Sequence, residues 1–177
     1  MKPDISIVIP LLNKGPHIQR TLQSVMDQTI QDFEIIVVDG GSTDYGPDVV
    51  KGFNDPRIQF IQQKGTGVST ARNQGVSISQ SDFIAFLDAD DEWMPHHLET
   101  IQKLRKEFPQ AGAYTTAYKI QEANGELRWA KYEAIPPAPW KGLIPNYFKS
   151  GTLGEYPVWT SVVGIPKKIF IEMGGFP

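Results

Sequence analysis

The stretch Ile84-Ala85-Phe86-Leu87-Asp88-Ala89-Asp90-Asp91 passes directly from an apolar run to a cluster of carboxylates. Residues 84–87 predict a strand that is buried on both faces, and such a strand cannot carry charge in its middle. The charges therefore begin where the strand emerges from the core. Because residues i and i+2 of an extended segment point to the same side, Asp88 and Asp90 can converge on one object.

The residues alone leave two interpretations of this acidic cluster open. Hard carboxylate oxygens at this spacing suit Mg²⁺ or Mn²⁺, and a metal with few protein ligands keeps positions free for phosphate oxygens. Alternatively, the segment is a solvated strand-to-helix turn in which one Asp caps a helix that starts near Pro95. A D-x-D pattern by itself favours neither interpretation. The choice between them depends on which other residues lie at the same edge of the sheet.

Composition limits the class of protein. The length of 177 residues fits one domain, and a formal charge of −3 gives no basic surface for a nucleic-acid partner. The absence of cysteine excludes a disulfide framework and thiolate metal sites. The apolar run from Ile5 to Leu12 is too short for a transmembrane segment and lacks the flanks of a signal peptide. We therefore expect a cytoplasmic protein, and peripheral attachment at the inner face of a membrane in a full-length protein stays open.

Buried strands alternate with helical patterns over the first 110 residues. Strands are predicted over 5–9, 33–38, 58–61 and 84–87, with helices around 18–26, 48–53, 71–76 and 98–108. This alternation predicts an α/β protein with a mainly parallel sheet. Right-handed crossovers then place the strand ends at Pro10, Asp39 and Asp88 along one edge, where ligands bind in such sheets. Their common position favours the metal interpretation of the acidic cluster.

The pattern changes after residue 110. Segments 114–121 and 127–131 predict an antiparallel hairpin around the Asn124-Gly125 turn. A proline-rich segment follows, and Tyr147-Phe148 close a short predicted helix. A strand is expected over 158–165 and a helix over 166–173, with proline in its first turn.

Two further positions suit a nucleotide, and each has a structural alternative. Asp39 precedes a Gly-Gly-Ser turn, where its carboxylate could accept from a base N–H or a ribose hydroxyl, or could simply form the turn. Arg72 lies in the first turns of the helix after Gly67. Its guanidinium could lie over a nucleotide or its phosphates near a helix N-terminus, or could pair across the surface.

Three other groups are weighed in the same way. Ser42, Thr43 and Asp44 are expected to cap the following helix. The adjacent His96 and His97 face different directions on a helix, so we expect them to be solvated or packed rather than to share a metal. Residues 159–161 (Trp-Thr-Ser) could line an acceptor pocket, since an aromatic face suits a sugar ring, or could belong to an ordinary strand.

Taken in order and spacing, these residues resemble the inverting family 2 glycosyltransferases with a GT-A fold. The resemblance covers most of the chain and rests on the segments Ser6-Ile7-Val8-Ile9-Pro10 with Asn13-Lys14, Ser24-Val25 with Gln28-Thr29, Phe33-Glu34-Ile35-Ile36-Val37-Val38-Asp39 with Gly41-Ser42-Thr43-Asp44, Ala71-Arg72-Asn73, Phe86-Leu87-Asp88-Ala89-Asp90-Asp91 with Trp93 and Pro95, and Gly174-Gly175-Phe176. It implies a Rossmann-like three-layer α/β/α fold with a mainly parallel central sheet.

The resemblance also implies an activity and a site. The activity is transfer of a sugar from a nucleotide-diphosphate sugar, with a UDP-sugar expected, to a saccharide or lipid-linked acceptor hydroxyl with inversion. Asp90 and Asp88 would bind Mn²⁺ or Mg²⁺, and Asp90 is the stronger candidate for direct ligation. The positions that would hold the nucleotide sugar are Pro10, Leu11, Asn13, Asp39, Arg72, Asp88 and Ala89.

Two departures from the family pattern limit this assignment. Many relatives have a second acid where this chain has Gly40, which leaves nucleotide preference open. The family's general base follows the Gly-Gly-Phe segment, so we expect it beyond Pro177. The chain is then expected to be one catalytic domain that is incomplete at its C-terminus, with a nucleotide-sugar-binding half (1–110) and a partial acceptor-side half (111–177).

Two alternatives to a glycosyltransferase stay open. The first is a non-catalytic module that binds a nucleotide sugar. The second, ranked lower, is a sugar nucleotidyltransferase, which would want a basic, glycine-rich loop directly after the first strand. The segment Pro10-Leu11-Leu12-Asn13-Lys14 supplies one lysine and only a late glycine.

Overall fold

A computed structural model of the chain describes residues 2–177. The strands are β1 (Ile5–Leu11), β2 (Phe33–Asp39), β3 (Ile58–Gln62), β4 (Phe83–Phe86), β5 (Tyr114–Thr115), β6 (Lys119–Gln121), β7 (Leu127–Trp129) and β8 (Val163–Pro166). The helices are α1 (Gly15–Met26), α2 (Gly46–Gly52), α3 (Val68–Ile78), α4 (His97–Glu107), α5 (Tyr147–Leu153) and α6 (Lys167–Glu172). A 3₁₀ turn covers Thr160–Val162.

The central sheet has six strands in the order β3-β2-β1-β4-β8-β5. Strands β1 to β4 are parallel, with Ile7 opposite Ile35 on one side and Ala85 on the other. Strand β8 is antiparallel to both β4 and β5. The mainly parallel sheet predicted from the sequence is confirmed, and its connection order brings the ends of β1, β2 and β4 side by side.

Helices cover both faces of this sheet, because β1, β2 and β4 carry apolar side chains on each side. One face packs against α1, α2 and α4, and its core includes Ile7, Ile9, Ile18, Leu22, Ile35, Val50, Ala85, Leu98 and Ile101. The opposite face packs against α3 and α6 and includes Val8, Val76, Ile84, Phe86, Val163 and Phe170, with Ile36, Val38 and Ala71 beside them. The three-layer α/β/α arrangement is therefore confirmed.

The structure corrects three predictions for residues 111–177. The predicted strand 114–121 is broken, since β5 pairs with β8 while β6 pairs with β7 as the expected hairpin. The predicted strand 158–165 begins with a 3₁₀ turn, closed by the Val162 N–H on the Trp159 carbonyl, and only β8 is extended. Tyr147 starts a helix rather than closing one, because the Asn146 side chain caps it by accepting from the Lys149 N–H.

None of the helices within residues 2–177 combines the length and the apolar character that crossing a bilayer requires.

Candidate functional site

A cavity of about 530 Å³ opens at the carboxyl edge of the parallel strands. It lies over the ends of β1 and β4 and the start of α3, where the sequence predicted a ligand site. Its walls are formed by Pro10, Leu11, Leu12, Lys14, Gly40, Gln63, Thr66, Gly67, Val68, Ala71, Arg72, Asp88, Ala89 and Asp90. A smaller cavity of about 300 Å³ beside α2 and β3 contains Lys51 and Asp55, and Asp55 is already paired with Arg57. The larger cavity is therefore the candidate site.

The acidic loop after β4 is held in place by contacts from two elements. On one side, the Thr21 hydroxyl of α1 donates to the Ala89 carbonyl at 3.0 Å. On the other, the buried Ser161 hydroxyl accepts from the Asp88 N–H at 3.1 Å and donates to Asp91 at 2.5 Å. Burial raises the pKa of Asp91, and the Ser161 hydrogen bond acts against this rise. Asp91 thus anchors the loop, while Asp88 and Asp90 line the cavity.

Each of the two cavity carboxylates has a cation of its own. Arg72 Nη2 lies 2.5 Å from Asp88 Oδ1, and Lys14 Nζ lies 2.5 Å from Asp90 Oδ2. The Arg72–Asp88 pair is the more buried, with 10% and 26% of the side chains exposed, against 40% and 39% for Lys14 and Asp90. Desolvation weakens screening, so the buried pair interacts more strongly. The cavity therefore contains two positive and two negative groups in contact.

Asp39 lies at the expected strand end, but its carboxylate is occupied. It is buried, accepts from the N–H and hydroxyl of Ser42, and accepts from the Gln62 amide at 2.9 Å. Burial would raise the pKa of Asp39, but the hydrogen bonds from Ser42, Gln62 and the Gly41 backbone outweigh it and lower that pKa. Asp39 shapes the turn behind the cavity and is not among the wall residues.

Asn13 also lies outside the cavity wall. Its backbone has a φ of 52°, a left-handed conformation that asparagine tolerates, and its side chain accepts from the Thr43 N–H at 2.8 Å. The neighbouring Asp44 accepts from the first N–H of α1 (Gly15) at 2.7 Å and of α2 (Gly46) at 2.9 Å. These contacts fasten the loops after β1 and β2 to each other. Of the three residues predicted to cap the following helix, Asp44 does so, whereas Ser42 bonds to Asp39 and Thr43 to Asn13.

Six of the predicted site residues meet in the cavity wall: Pro10, Leu11, Arg72, Asp88, Ala89 and Asp90. The sequence reasoning missed Lys14 and the segment that follows β3. Lys14 could have been found as the basic side chain in the loop directly after β1. Gln63, Thr66 and Gly67 follow β3, a fourth parallel strand whose end reaches the same edge.

Trp93 and His97 lie near the acidic loop and belong to the packed core. Trp93 is buried in the core and stacks on His97 with 4.5 Å between ring centroids. Burial lowers the pKa of His97 to about 4, and its Nδ1 lies 3.2 Å from the Thr116 hydroxyl. His96 is exposed beside Glu99. The expectation that these histidines are solvated or packed is confirmed, since His96 is solvated and His97 is packed.

The donor set suits a divalent cation held by few protein ligands. Within residues 2–177 no three Asp, Glu or His side chains group as metal ligands. The carboxylates in the cavity wall are those of Asp88 and Asp90. Asp88 and Asp90 present hard oxygens to the cavity while remaining partly exposed. Such a site fits Mg²⁺ or Mn²⁺ with the remaining positions taken by phosphate oxygens.

Fold and cavity together define the chain as a GT-A-type α/β domain with its ligand cavity at the carboxyl edge of the sheet. A family model described as "Glycosyl transferase family 2" matches residues 6–164. The chain therefore belongs to glycosyl transferase family 2. The resemblance drawn from the motifs is confirmed, and the match favours a sugar transferase over a nucleotidyltransferase.

Individual relatives agree with this assignment. The chain is 35% identical over 165 residues to the uncharacterised glycosyltransferase YibD of Escherichia coli K12, covering 90% of this chain and 46% of YibD. Among solved structures, S. aureus TarS 1-349 in complex with UDP-GlcNAc superimposes with a TM-score of 0.74 at 21% identity, over 98% of this chain and 48% of TarS. The mannosyltransferase PcManGT from Pyrobaculum calidifontis in complex with GDP-Man and Mn²⁺ gives a TM-score of 0.70 at 18% identity, over 100% of this chain and 48% of PcManGT.

These structural likenesses show the fold. The chain spans less than half of the length of the relatives it matches.

Proposed function

We propose that this chain carries the donor site of a metal-dependent, inverting glycosyltransferase, which moves a sugar from a nucleotide-diphosphate sugar to an acceptor hydroxyl. The observation that carries the proposal is the cavity at the carboxyl edge, where the Arg72–Asp88 and Lys14–Asp90 pairs face one space. Family membership supports sugar transfer. The charge pattern supports a ligand that is itself anionic and metal-bound.

The described residues suggest how the donor would be held. Arg72 and Lys14 supply the positive charge for a diphosphate, and α3 begins beside them with its N–H groups. Gly40 and Gly67 line the wall without side chains, which lets a ligand approach the backbone closely. Asp88 and Asp90 would hold Mn²⁺ or Mg²⁺. A bound divalent cation would act as a Lewis acid that neutralises charge developing on the diphosphate leaving group.

Inversion also requires a base near the acceptor hydroxyl, on the face opposite the leaving group. Among residues 2–177, Asp88 and Asp90 are the acids that line the cavity, and both are assigned to the donor.

Two acids outside the cavity are already paired. Glu155 pairs with Arg128 at 2.7 Å and accepts from the Lys131 N–H, and hydrogen bonds to these groups lower its pKa. Glu172 lies 3.8 Å from Lys168, and both side chains are exposed on the outer side of α6. We therefore propose that another part of the protein supplies the base.

A uridine diphosphate donor is the proposed nucleotide, because the TarS structure contains UDP-GlcNAc over a shared fold. The PcManGT structure contains GDP-Man, so a guanosine diphosphate donor is the competing proposal. The acceptor is proposed to be a saccharide or a lipid-linked sugar.

Nucleotide binding with and without metal tests the proposal. Isothermal titration calorimetry of the chain with UDP, GDP and dTDP should show binding that is at least tenfold tighter with Mn²⁺ or Mg²⁺ than with a chelator. Asp90→Ala should abolish this difference. Asp82→Ala is the matched control, since Asp82 is an exposed aspartate at the start of β4, away from the acidic loop. Equal binding with metal and with chelator, or none, would refute the proposal.

A transfer assay separates the enzyme from a module that only binds nucleotide sugars. With no further acid in the cavity wall, we expect this chain to bind the donor and to transfer negligible sugar. Robust transfer would show that a carboxylate within the chain acts as the base.

A further inference from the structure

The Gly174-Gly175-Phe176 turn is docked on α3 by a reciprocal pair of hydrogen bonds. The Asn73 side chain donates from Nδ2 to the Phe176 carbonyl at 2.9 Å and accepts the Phe176 N–H on Oδ1 at 2.9 Å. The bonded residues are 103 positions apart in the chain. Both glycines have positive φ, 83° and 75°, and a Cβ on Gly175 would lie 2.7 Å from Asn73 Oδ1. This contact therefore depends on glycine.

The docked turn places the Phe176 ring against the next residue of α3. The Arg72 guanidinium carbon lies 5.1 Å from the centroid of this ring, within the range of a cation–π interaction. The ring itself is fixed edge-on to Phe86 at 5.2 Å and to Phe170 at 5.6 Å. Arg72 is thus held between the Phe176 ring and the Asp88 carboxylate at 2.5 Å.

The buried part of Arg72 has few other restraints. Arg72 Nε is buried and makes no hydrogen bond to any of residues 2–177. The direction of the guanidinium therefore depends on Asp88 at its tip and on the aromatic ring beside it. Arginine has high side-chain entropy, so a group that fixes its direction before binding lowers the entropic loss on binding.

We propose that Asn73 and Phe176 are positioning residues for the donor site, which hold the Arg72 guanidinium in the direction that a nucleotide diphosphate requires. This inference rests on the donor-site function proposed above. Neither residue lines the cavity, so both act through Arg72. The Gly174–Phe176 turn is in this way part of the donor site, although it follows the acidic loop at a long distance in the chain.

The order of the Arg72 side chain can be measured without any nucleotide. ¹⁵N NMR of the arginine Nε–H groups should give an Arg72 signal with restricted motion and a ring-current shift in the wild-type chain. Phe176→Leu keeps an apolar side chain and should remove the shift and increase the motion. Phe176→Tyr should preserve both. An Arg72 signal that Phe176→Leu leaves unchanged would overturn the proposal.

Binding of UDP with Mn²⁺ tests the consequence. We expect Phe176→Leu and Asn73→Ala each to weaken binding by about three- to tenfold, and Phe176→Tyr to bind as the wild type does. Phe33→Leu is the matched control, because the Arg57 guanidinium carbon lies 4.4 Å from the Phe33 ring centroid and neither residue lines the cavity. Phe33→Leu should lower stability without changing affinity.

A double-mutant comparison separates positioning from general loosening of the fold. In an Arg72→Ala background, Phe176→Leu should cause no further loss of affinity, since the side chain it positions is gone. A further loss equal to that in the wild type would assign Phe176 a merely structural role. If the wild-type chain binds no nucleoside diphosphate while the NMR signals respond as expected, the donor function fails and the contact between Phe176 and Arg72 stands.

Discussion

At the scale of single residues, the cavity is electrically balanced by close pairs. Lys14 and Arg72 are the basic side chains in its wall, and each contacts one of its two carboxylates. A ligand that brings both a diphosphate and a divalent cation can exchange partners with these pairs, since the cations can turn to phosphate and the carboxylates to metal. The exchange leaves no charge unpaired at either stage, which matters most for the more buried Arg72–Asp88 pair.

Lys14 gives the first prediction, because removing it should weaken the binding of the nucleotide but not the binding of the metal ion alone. Lys14→Met should weaken binding of UDP with Mn²⁺ by about tenfold, which is ~1.4 kcal/mol. The same substitution should leave the affinity for Mn²⁺ alone unchanged or make it higher, since the Asp90 carboxylate is then no longer paired with an ammonium group. Stability should change by less than about 1 kcal/mol, as is usual for an exposed ion pair.

Calorimetry for UDP and electron paramagnetic resonance for Mn²⁺ would measure the two affinities. Lys103→Met is the matched control, since Lys103 makes an exposed ion pair with Glu99 on α4. Weakened binding of both ligands would contradict the exchange of partners and indicate a general change in the cavity.

Asp39 gives a prediction for pH. Its carboxyl pKa is held below the ordinary value by hydrogen bonds, chiefly from the Ser42 side chain, which together exceed the effect of burial. A carboxyl with a lowered pKa stabilises the fold fully above its unfolded pKa of about 3.9 and loses this contribution as pH falls through the folded pKa. Ser42→Ala should therefore destabilise the chain by about 1–2 kcal/mol at pH 7 and by progressively less below about pH 4.

Urea unfolding at several pH values would measure this difference. Ser77→Ala is a suitable control, because the Ser77 hydroxyl donates to the Gln74 carbonyl rather than to a titrating group. The Ser77→Ala effect should not depend on pH. A Ser42→Ala effect that stays constant from pH 7 to pH 3 would contradict the role given to the Ser42 hydrogen bonds.

At the scale of elements, the position of α3 determines where Arg72 lies. Gly75, one turn after Arg72, lets the helix approach the sheet closely, since a Cβ there would lie 2.4 Å from Val8 Cγ1. Alanine is the better helix former by about 1 kcal/mol. Gly75→Ala should nevertheless destabilise the chain by about 1–3 kcal/mol, because overpacking of the core outweighs the gain in propensity.

Chemical denaturation compares this variant with Gly52→Ala at the end of α2. A Cβ on Gly52 would have no atom within 4 Å, so this control should be neutral or slightly stabilising. A neutral Gly75→Ala would show that α3 can shift away from the sheet without loss.

The elements also show where sequence reasoning works and where it stops. Runs such as Phe33–Asp39 have a hydrophobic pattern strong enough to predict the strand and the edge at which it ends. The sequence predicted strands that include β5 and most of β8, but not their bounds or their pairing, which depend on tertiary contacts such as Tyr114 opposite Gly164. The 3₁₀ turn before β8 depends on Ser161, whose bonds to the acidic loop no local pattern reveals.

The same distinction applies to the candidate site. Edge position was enough to place the ends of β1, β2 and β4 together, and the family resemblance added Arg72 to the acidic loop. The sequence could not show that the Asp39 carboxylate already accepts hydrogen bonds from Ser42 and Gln62, because the Gln62 contact depends on how β3 lies beside β2. The contact of Phe176 with Arg72 joins distant segments and likewise needed the three-dimensional structure.

At the scale of the whole molecule, the central sheet crosses the predicted boundary between residues 1–110 and 111–177. Strand β8 from the second segment pairs with β4 from the first, and the Lys167 N–H donates to the Asp82 carbonyl at 2.8 Å. Lys167 Nζ also donates to the Ser79 carbonyl at 2.7 Å. The functional division into donor and acceptor halves stays a prediction, while the folding unit is expected to include both.

A core substitution in β8 should therefore destabilise the two segments together. Val163 is buried against the β4 side of the sheet, so Val163→Ala should lower the free energy of unfolding by about 2 kcal/mol. With a urea m-value of roughly 2 kcal/mol/M, the midpoint should fall by about 1 M.

Fluorine NMR of fluorotryptophan-labelled chain would follow Trp93 in the first segment and Trp159 in the second. Both signals should share one midpoint before and after the substitution, because β8 lies in the common sheet. Val68→Ala, at an exposed position, should leave that midpoint nearly unchanged. A lower midpoint at Trp159 alone would show that the acceptor-side segment unfolds independently, and the donor site would then not depend on it for stability.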